Sequence, residues 1–387
     1  MQSNKINSYI NKKLKEISRK NQFRKINDVQ RKPKNLITMN GKNVISFSCN
    51  DYLGLSLNRS VIKSAAAAIN KFGVGAGASR LVTGNNYLYS LLETKIKKFK
   101  KTSACCVFGS GFLANIGVIS SLMNKKDLVL IDELSHASTF LGAKLSGARV
   151  MKFKHNDVEN LEKLLYKFRN KYDKCLILTE GVFSMDGDIS PQDNISVLKK
   201  KYSASFMLDD AHGLGVIGDG TGSNSLFKKK PDIDIYLGTL SKAVGAYGGF
   251  ICGKKNLINF IINRCRSQIY TTGLPPSVLA ACIKSLEIIQ NNKSLIKKPL
   301  ENATFFSKKL GLETPVSPIV PIVLGDENKT LNLSRYLNRY GYIVGAIRPP
   351  TVPKGTSRLR VAFNSSHTKL QIKKLASLIK YKLKVYG

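Results

Sequence analysis

The chain of 387 residues is 43% hydrophobic, which is enough to bury a large core spread over two or three structural units. Its 62 Lys and Arg residues outnumber 25 Asp and Glu residues and give a formal net charge of +37, but they are dispersed in short clusters without interleaved aromatic residues, which argues against a nucleic-acid groove. No apolar run reaches the about 20 residues that span a bilayer, and seven cysteines without metal-type spacing fit a reducing cytoplasm better than a disulfide framework or a metal site.

The first 48 residues are a predicted N-terminal helical arm. Ile6, Ile10, Leu14 and Ile17 recur at helical spacing, and lysines and arginines surround the other side of the helix. Such a basic amphipathic helix would suit a presequence or a membrane surface, but packing onto its own protein is the commoner use, and we expect no membrane partner. A strand is predicted at 42–51, where the fold proper begins.

Strands and helices alternate from residue 49 to residue 285. The strands are predicted at 104–108, 127–133, 149–153, 175–179, 206–208, 233–237 and 250–252, and the helices at 60–72, 87–101, 116–123, 158–171, 195–202 and 277–290. This alternation predicts a large α/β domain with a mostly parallel sheet covered by helices. Over 286–387, strands at 319–324, 342–347 and 358–363 and helices at 331–340 and 370–383 predict a small C-terminal α+β domain.

Polar side chains follow several of these predicted strands. Asp209 and His212 end one strand, and Lys242 follows another, next to Thr239 and a run of glycines. A lysine after a strand is usually a solvated surface charge. A carboxylate, a lysine and hydroxyls together are what pyridoxal 5'-phosphate needs for its ring nitrogen, its aldehyde and its phosphate. The sequence therefore predicts a site for that cofactor at the carboxyl ends of the strands.

Two glycine-rich turns are candidates for the phosphate. The turn at 109–115 lies between a predicted strand and a helix, where free N–H groups at the helix start bind anions, so the cofactor phosphate is placed there. The turn at 73–84 is weaker, because its glycines fit a flexible connector equally well. His136 follows a third strand, where a histidine that only caps a turn is an equal alternative.

Several segments resemble the α-oxoamine synthases, a branch of the fold-type I pyridoxal-phosphate transferases, across essentially the whole chain. They are 47–56, 132–138, 179–187, 209–213, 239–242, 346–353 and 357–360. The resemblance implies a homodimer with shared active sites and a decarboxylative condensation of an amino acid with an acyl thioester. The last two segments favour L-alanine and pimeloyl-CoA or pimeloyl-acyl carrier protein. Relatives that use glycine or serine are the alternative, and a polyanion-binding protein is the alternative of another class.

The resemblance also implies roles for the residues around the cofactor ring. Lys242 would bond to the aldehyde and its freed amine would remove the substrate's α-proton. Asp209 would pair with the ring nitrogen, and His212 would hydrogen-bond the ring hydroxyl. His136 would stack on the ring and contact the substrate, with Ser184 nearby.

Further roles concern the cofactor phosphate. By the same resemblance, the backbone of Gly111 and Phe112 and the hydroxyl of Thr239 would help to hold the cofactor. Thr272 would reach the phosphate in the neighbouring subunit.

The substrates have their own implied contacts. Arg360 would clamp the amino-acid carboxylate, because a guanidinium fork matches that planar anion. Thr351 and Arg24 would contact the acyl substrate. Arg19 and Arg31 are alternatives to Arg24, since the arm around it aligns loosely.

Overall fold

The computed structural model of the protein describes residues 5–20 and 22–386. Its helices are α1 (Lys5–Arg19), α2 (Arg59–Phe72), α3 (Tyr87–Lys100), α4 (Gly111–Leu122), α5 (Ala137–Ser146), α6 (Val158–Phe168), α7 (Gln192–Lys201), α8 (Lys255–Arg264), α9 (Arg266–Ile269), α10 (Pro276–Asn291), α11 (Lys293–Leu310), α12 (Glu327–Arg339) and α13 (Lys369–Tyr386). Its strands are β1 (Val29–Arg31), β2 (Leu36–Met39), β3 (Lys42–Ser46), β4 (Ala104–Phe108), β5 (Leu128–Asp132), β6 (Arg149–Phe153), β7 (Cys175–Glu180), β8 (Ser205–Asp209), β9 (Ile235–Thr239), β10 (Gly249–Gly253), β11 (Ile319–Gly325), β12 (Tyr342–Ile343), β13 (Gly345–Ile347) and β14 (Ser357–Ala362). Within the described ranges, no helix is long and apolar enough to cross a membrane.

A seven-stranded sheet in the order β4-β10-β9-β8-β7-β5-β6 forms the centre of the large domain. Only β10 runs antiparallel to its neighbours, so the mostly parallel sheet predicted from the alternating elements is confirmed. Alternate side chains of each strand enter the two cores on opposite faces of the sheet. In β5, for example, Leu128 and Leu130 belong to one core and Val129 and Ile131 to the other. Because β5, β7, β8 and β9 are parallel, their carboxyl ends meet at one edge.

The N-terminal arm departs from the expectation in two ways. No residue of α1 is buried, and the side chains of Ile10 and Leu14 on its apolar face are 44% and 43% exposed, so this helix is not packed into the core formed by the described residues of a single chain. The arm also contains β1 and β2, which were not predicted because they have only three and four residues. They join β3 and β12 in a four-stranded sheet that connects the arm to the C-terminal part of the chain.

The small domain packs helices against the three-stranded sheet β11-β14-β13. Its core includes Phe47 from the arm, whose ring stacks on His367 with centroids 3.8 Å apart. The predicted strand at 342–347 is divided, because β12 pairs with β3 and β13 pairs with β14. Helix α11 was not predicted, since Pro299 interrupts its pattern. Pro299 is nevertheless buried inside the helix, on the same face as Asn302 and Phe306.

Candidate active site

Four polar side chains meet where the parallel strands end. Glu180 and Asp209 are the last residues of β7 and β8 and lie opposite each other in the sheet register, and both are buried. Thr239 ends β9 next to them, and Lys242 follows three residues later in the turn to β10. The glycines of that turn allow the backbone to reverse, and Gly245 takes a left-handed φ of 73°. The fold therefore brings together the lysine and the carboxylate that the sequence predicted.

The amine of Lys242 is shifted towards its neutral form. Burial lowers its pKa to about 8, against the opposing charges of Asp209 and Glu180, and the positive charge of Arg360 acts in the same direction as burial. An appreciable fraction of the amine is therefore unprotonated near neutral pH. A neutral lysine amine is the nucleophile that condensation with an aldehyde requires.

Asp209 is tied to His136 by a chain of hydrogen bonds. Its carboxylate accepts from Asn115 Nδ2 at 2.7 Å and from the Ala211 N–H at 3.1 Å. The same Asn115 amide donates to Ser138 Oγ at 3.0 Å, and Ser138 Oγ lies 2.7 Å from His136 Nδ1. Sequence reasoning did not single out Asn115 or Ser138. Their positions could have indicated them, because Asn115 ends the glycine turn at 109–115 and Ser138 ends the segment 132–138.

Glu180 is a second carboxyl group that the sequence did not mark. Burial and the charge of Asp209 raise its pKa well above the usual range, against the influence of Lys242. Its Oε2 accepts a hydrogen bond from the Ser184 N–H at 3.3 Å. Glu180 therefore tends to be protonated and neutral, whereas hydrogen-bond donors surround Asp209. The two carboxyl groups thus differ in their environment, and Asp209 is the one suited to pair with a cationic ring nitrogen.

Both histidines of the site are neutral imidazoles. Burial lowers the pKa of His136, and burial with the charge of Lys242 lowers that of His212 well below its usual range. His136 Nδ1 accepts from the Ser138 N–H at 3.3 Å, so the neutral ring has its proton on Nε2. His212 Nδ1 lies 2.7 Å from Tyr52 Oη and shares a hydrogen bond with it. A neutral imidazole has one N–H donor, which in His136 is the Nε2–H.

Arg360 is a buried cation whose charge no carboxylate neutralises within the described part of the chain. It lies on β14, where its Nε donates to the Ser184 carbonyl and its Nη2 donates to Tyr52 Oη at 3.3 Å. Arg358, two residues earlier, instead pairs with Asp186. A buried cation without a counter-ion is costly, and an anionic ligand that binds it removes that cost. Arg360 is therefore suited to hold a substrate carboxylate.

The glycine turn at the start of α4 lies close to Thr239. A Cβ on Gly111 would lie 3.6 Å from Thr239 Cβ, and a Cβ on Gly249 would come within 2.5 Å of the Gly111 nitrogen, so only glycine fits there. Phe112 follows in the first turn of the helix with a side chain that is largely exposed. Thr239 Oγ1 lies 2.7 Å from Ser241 Oγ. Together these groups offer N–H and hydroxyl donors for a phosphate.

Thr272 lies in the loop after α9, where it pairs with Ser79 and its side chain is exposed. Its contact with the cofactor phosphate of a neighbouring subunit stays a prediction.

A pocket of about 570 Å³ opens next to His136 and Ser184. It is lined by Arg24, Glu133, Leu134, Ser135, His136, Ala137, Phe140, Ser184, Met185, Asp186, Pro350, Thr351, Val352 and Pro353. Arg24 Nη2 donates to Thr351 Oγ1 at 3.3 Å, so the arm and the small domain meet at this pocket. Of the alternatives to Arg24, Arg31 pairs with Asp51 at 3.0 Å, and Arg19 lies on the exposed helix α1.

The residues of the site fit pyridoxal phosphate. They provide an amine for the aldehyde, a carboxylate for the ring nitrogen and donors for the ring hydroxyl and the phosphate. The described residues contain no group of three or more His, Cys, Asp or Glu side chains that could hold a metal ion.

Comparison with known proteins supports this chemistry. Residues 42–379 match the family model described as aminotransferase class I and II. A putative 8-amino-7-oxononanoate synthase of Parvibaculum lavamentivorans is 48% identical over 89% of this chain and 88% of its own length. The 8-amino-7-oxononanoate synthase of Beijerinckia indica is 44% identical over 97% of both chains. Among solved structures, a serine palmitoyltransferase variant of S. paucimobilis with bound PLP and myriocin is similar, with a TM-score of 0.93, 28% identity and full coverage of both chains.

Proposed function

The chain belongs to the α-oxoamine synthase branch of the aminotransferase class I and II family, and we propose that it makes 8-amino-7-oxononanoate from L-alanine and a pimeloyl thioester. It is a pyridoxal-phosphate-dependent transferase of the acyltransferase type with the fold-type I architecture. The observation that supports the reaction best is the buried Arg360 guanidinium, free of a carboxylate partner within the described residues, in electrostatic contact with Lys242. This pair suits a substrate that has both an amine and a carboxylate.

The cofactor, when bound, supplies an aldehyde for the substrate amine and a pyridine ring that withdraws electrons from the substrate's α-carbon. Lys242 would hold that aldehyde. Because the pKa of its free amine is lowered to about 8, this amine would also be a suitable acceptor for the substrate's α-proton near neutral pH. Asp209, supported by the Asn115 amide, would face the ring nitrogen and stabilise a proton on it.

The substrates are oriented by the remaining groups. Arg360 holds the alanine carboxylate, which is lost as carbon dioxide in the overall reaction. The Nε2–H of His136 is a donor for the thioester carbonyl oxygen, where negative charge develops during acyl transfer. His136 also lines the pocket that Arg24 and Thr351 border, and this pocket is where we place the acyl chain.

Two finer points belong to the same proposal. We propose a homodimer in which the exposed Thr272 of each subunit completes the partner's site, and Thr272→Ala should weaken cofactor binding without changing the subunit count. The donor is a pimeloyl thioester of coenzyme A or of an acyl carrier protein. The net charge of +37 favours an acidic carrier protein. A KM that rises more steeply with salt for the carrier-bound donor than for pimeloyl-CoA, which is itself anionic, would support this preference.

The reaction is tested by giving the purified holoenzyme pimeloyl-CoA with L-alanine, glycine or L-serine in separate assays and identifying the product by mass spectrometry. We expect 8-amino-7-oxononanoate from alanine, with a higher kcat/KM than for either other amino acid. Lys242→Ala should give no product and should lack the visible absorption band of lysine-bound cofactor. Faster condensation with serine or glycine would assign the enzyme to another member of the branch, as the similarity to serine palmitoyltransferase allows.

A further inference from the structure

His155 is a histidine that the proposed mechanism does not use. It follows β6, and its ring bridges two carboxylates: Nδ1 lies 3.0 Å from Asp132 Oδ1 and Nε2 lies 2.8 Å from Asp188 Oδ2. The ring also packs edge-on against Phe183 with centroids 4.4 Å apart. Asp132 and Asp188 are distant in sequence, so the histidine joins two separate loops.

The geometry requires His155 to be positively charged. Both ring nitrogens face carboxylate oxygens, and a neutral imidazole has only one N–H to donate, so both hydrogen bonds form only with the imidazolium. Burial opposes this charge, but the hydrogen bonds and charges of Asp132 and Asp188 outweigh it and raise the pKa of His155 to about 10. The bridge is therefore intact at physiological pH.

Asp132 holds the backbone of its loop through its carboxylate, and Asp188 holds that of its loop through its backbone carbonyl. Asp132 is fully buried, and it accepts hydrogen bonds from the Leu134 N–H and the Asn156 N–H, both at 2.9 Å. It thereby fixes the chain that leads to His136. The Asp188 carboxylate accepts from Asn156 Nδ2 at 2.7 Å. The backbone carbonyl of Asp188 accepts from the Phe183 N–H at 3.0 Å, and this bond closes the loop that contains Ser184.

Both loops form part of the wall of the 570 Å³ pocket, which is lined by residues 133–137 of one loop and 184–186 of the other. We propose that His155 is a positioning residue that fixes the separation of the two loops and so shapes the pocket for the acyl thioester. The inference rests on the proposed function, which places the acyl chain in this pocket. Alanine is held by Arg360 and Lys242, which His155 does not contact, although Arg360 donates to the Ser184 carbonyl at the edge of one loop. The bridge should therefore affect the acyl thioester more than alanine.

The bridge also contributes to stability, chiefly through the pair with Asp132, whose side chain is fully buried, whereas the pair with Asp188, which is 38% exposed, contributes little. Stability alone would not distinguish the donor from alanine. The geometric effect does, because two directed hydrogen bonds fix the distance between the groups that they join.

The test is the variant His155→Gln in the holoenzyme, which loses the charge and at least one of the two bonds. The KM for pimeloyl-CoA should rise about tenfold, as for the loss of one charge-assisted hydrogen bond. The cofactor band and the Kd for alanine, measured from the spectral change on binding, should change less than the donor KM, because His155 contacts neither Arg360 nor Lys242 and reaches them only through the loop backbone. Asp188→Asn should give the same pattern, and it serves as the test should His155→Gln fail to fold.

Asp157→Ala is the matched control, since Asp157 lies two residues away and only caps α6, accepting from the Asn160 N–H at 2.8 Å. It should lower the unfolding temperature and leave the KM for the donor unchanged. An unchanged donor KM in folded His155→Gln, or equal losses for donor and alanine, would overturn the inference. If the wild-type enzyme turns over neither pimeloyl-CoA nor pimeloyl-acyl carrier protein, the proposed function fails, and the bridge is then judged with the acyl thioester that the enzyme does use.

Discussion

Replacing Arg360 by lysine should selectively weaken the binding of L-alanine. A guanidinium has five N–H groups, and two of those in Arg360 donate to the Ser184 carbonyl and to Tyr52 Oη, which leaves three for a carboxylate. Lysine would keep the positive charge but lose the fork. One charge-assisted hydrogen bond contributes about 1.5–3 kcal/mol, and about 1.4 kcal/mol is a factor of ten. The Kd for alanine should therefore rise about tenfold to a hundredfold.

The measurement is a titration of the holoenzyme with alanine, followed by the visible absorption of the cofactor. Ethylamine, which is alanine without its carboxylate, is titrated in parallel. Because ethylamine has nothing for Arg360 to hold, wild type and Arg360→Lys should bind it equally. The ratio of the two Kd values then isolates the contribution of the carboxylate from any general disturbance of the site.

Arg358→Lys is the matched control for this experiment. Arg358 lies two residues earlier on β14, is equally buried and already pairs with Asp186. Its replacement should leave alanine binding within about twofold, since its charge is already neutralised. An alanine affinity that Arg360→Lys leaves unchanged, or a loss that is equal for alanine and ethylamine, would refute the assignment of Arg360 to the substrate carboxylate.

Three further predictions follow from the charges of buried groups. The rate of cofactor uptake by the apoenzyme, measured by stopped-flow absorbance, should increase as pH rises through about 8 and then level off. The reason is that only the unprotonated Lys242 amine reacts with the aldehyde. A rate that does not change with pH would contradict this. The pKa of His155 is 6.5 in the unfolded chain and about 10 in the folded protein, so its charged form stabilises the fold fully below pH 6.5 and loses this effect as pH rises towards 10. The difference in unfolding temperature between wild type and His155→Gln should therefore shrink between pH 6.5 and 10. Lys100 and Asp210 form an ion pair at 3.7 Å, and their side chains are only 2% exposed. Lys100→Met leaves Asp210 as an unpaired buried charge, so it should lower the free energy of unfolding in urea by about 3–5 kcal/mol, and the double variant with Asp210→Asn should recover most of that loss. A double variant as unstable as Lys100→Met would count against a buried charge pair.

Much of the fold was predictable because its signals are local. The strands of the large domain are recognisable in the sequence as short apolar runs. Because parallel strands bring their carboxyl ends to one edge of the sheet, the sequence predicts that Asp209, Thr239 and Lys242 lie close together. Helix α11 was missed for an equally local reason. Pro299 reads as a helix breaker, but the helix tolerates it because its apolar face is buried in the protein.

The connections between loops were not predictable. Asn115 and Asp209 are 94 residues apart, and only the packing of α4 against the sheet reveals their hydrogen bond. The same holds for His155, whose two carboxylate partners come from different loops. A histidine after a strand has the same local pattern whether it caps a turn, binds a cofactor or bridges two loops.

The sequence by itself determined the chemistry, because the order of the residue types specifies which strand ends with an amine, a carboxylate or an imidazole. The tertiary structure decided the protonation states. Half of the Lys242 amine is neutral near pH 8, whereas His155 stays charged to about pH 10, because burial outweighs the neighbouring charges at Lys242 and the neighbouring carboxylates outweigh burial at His155. Those surroundings are assembled from distant parts of the chain, and no local pattern encodes them.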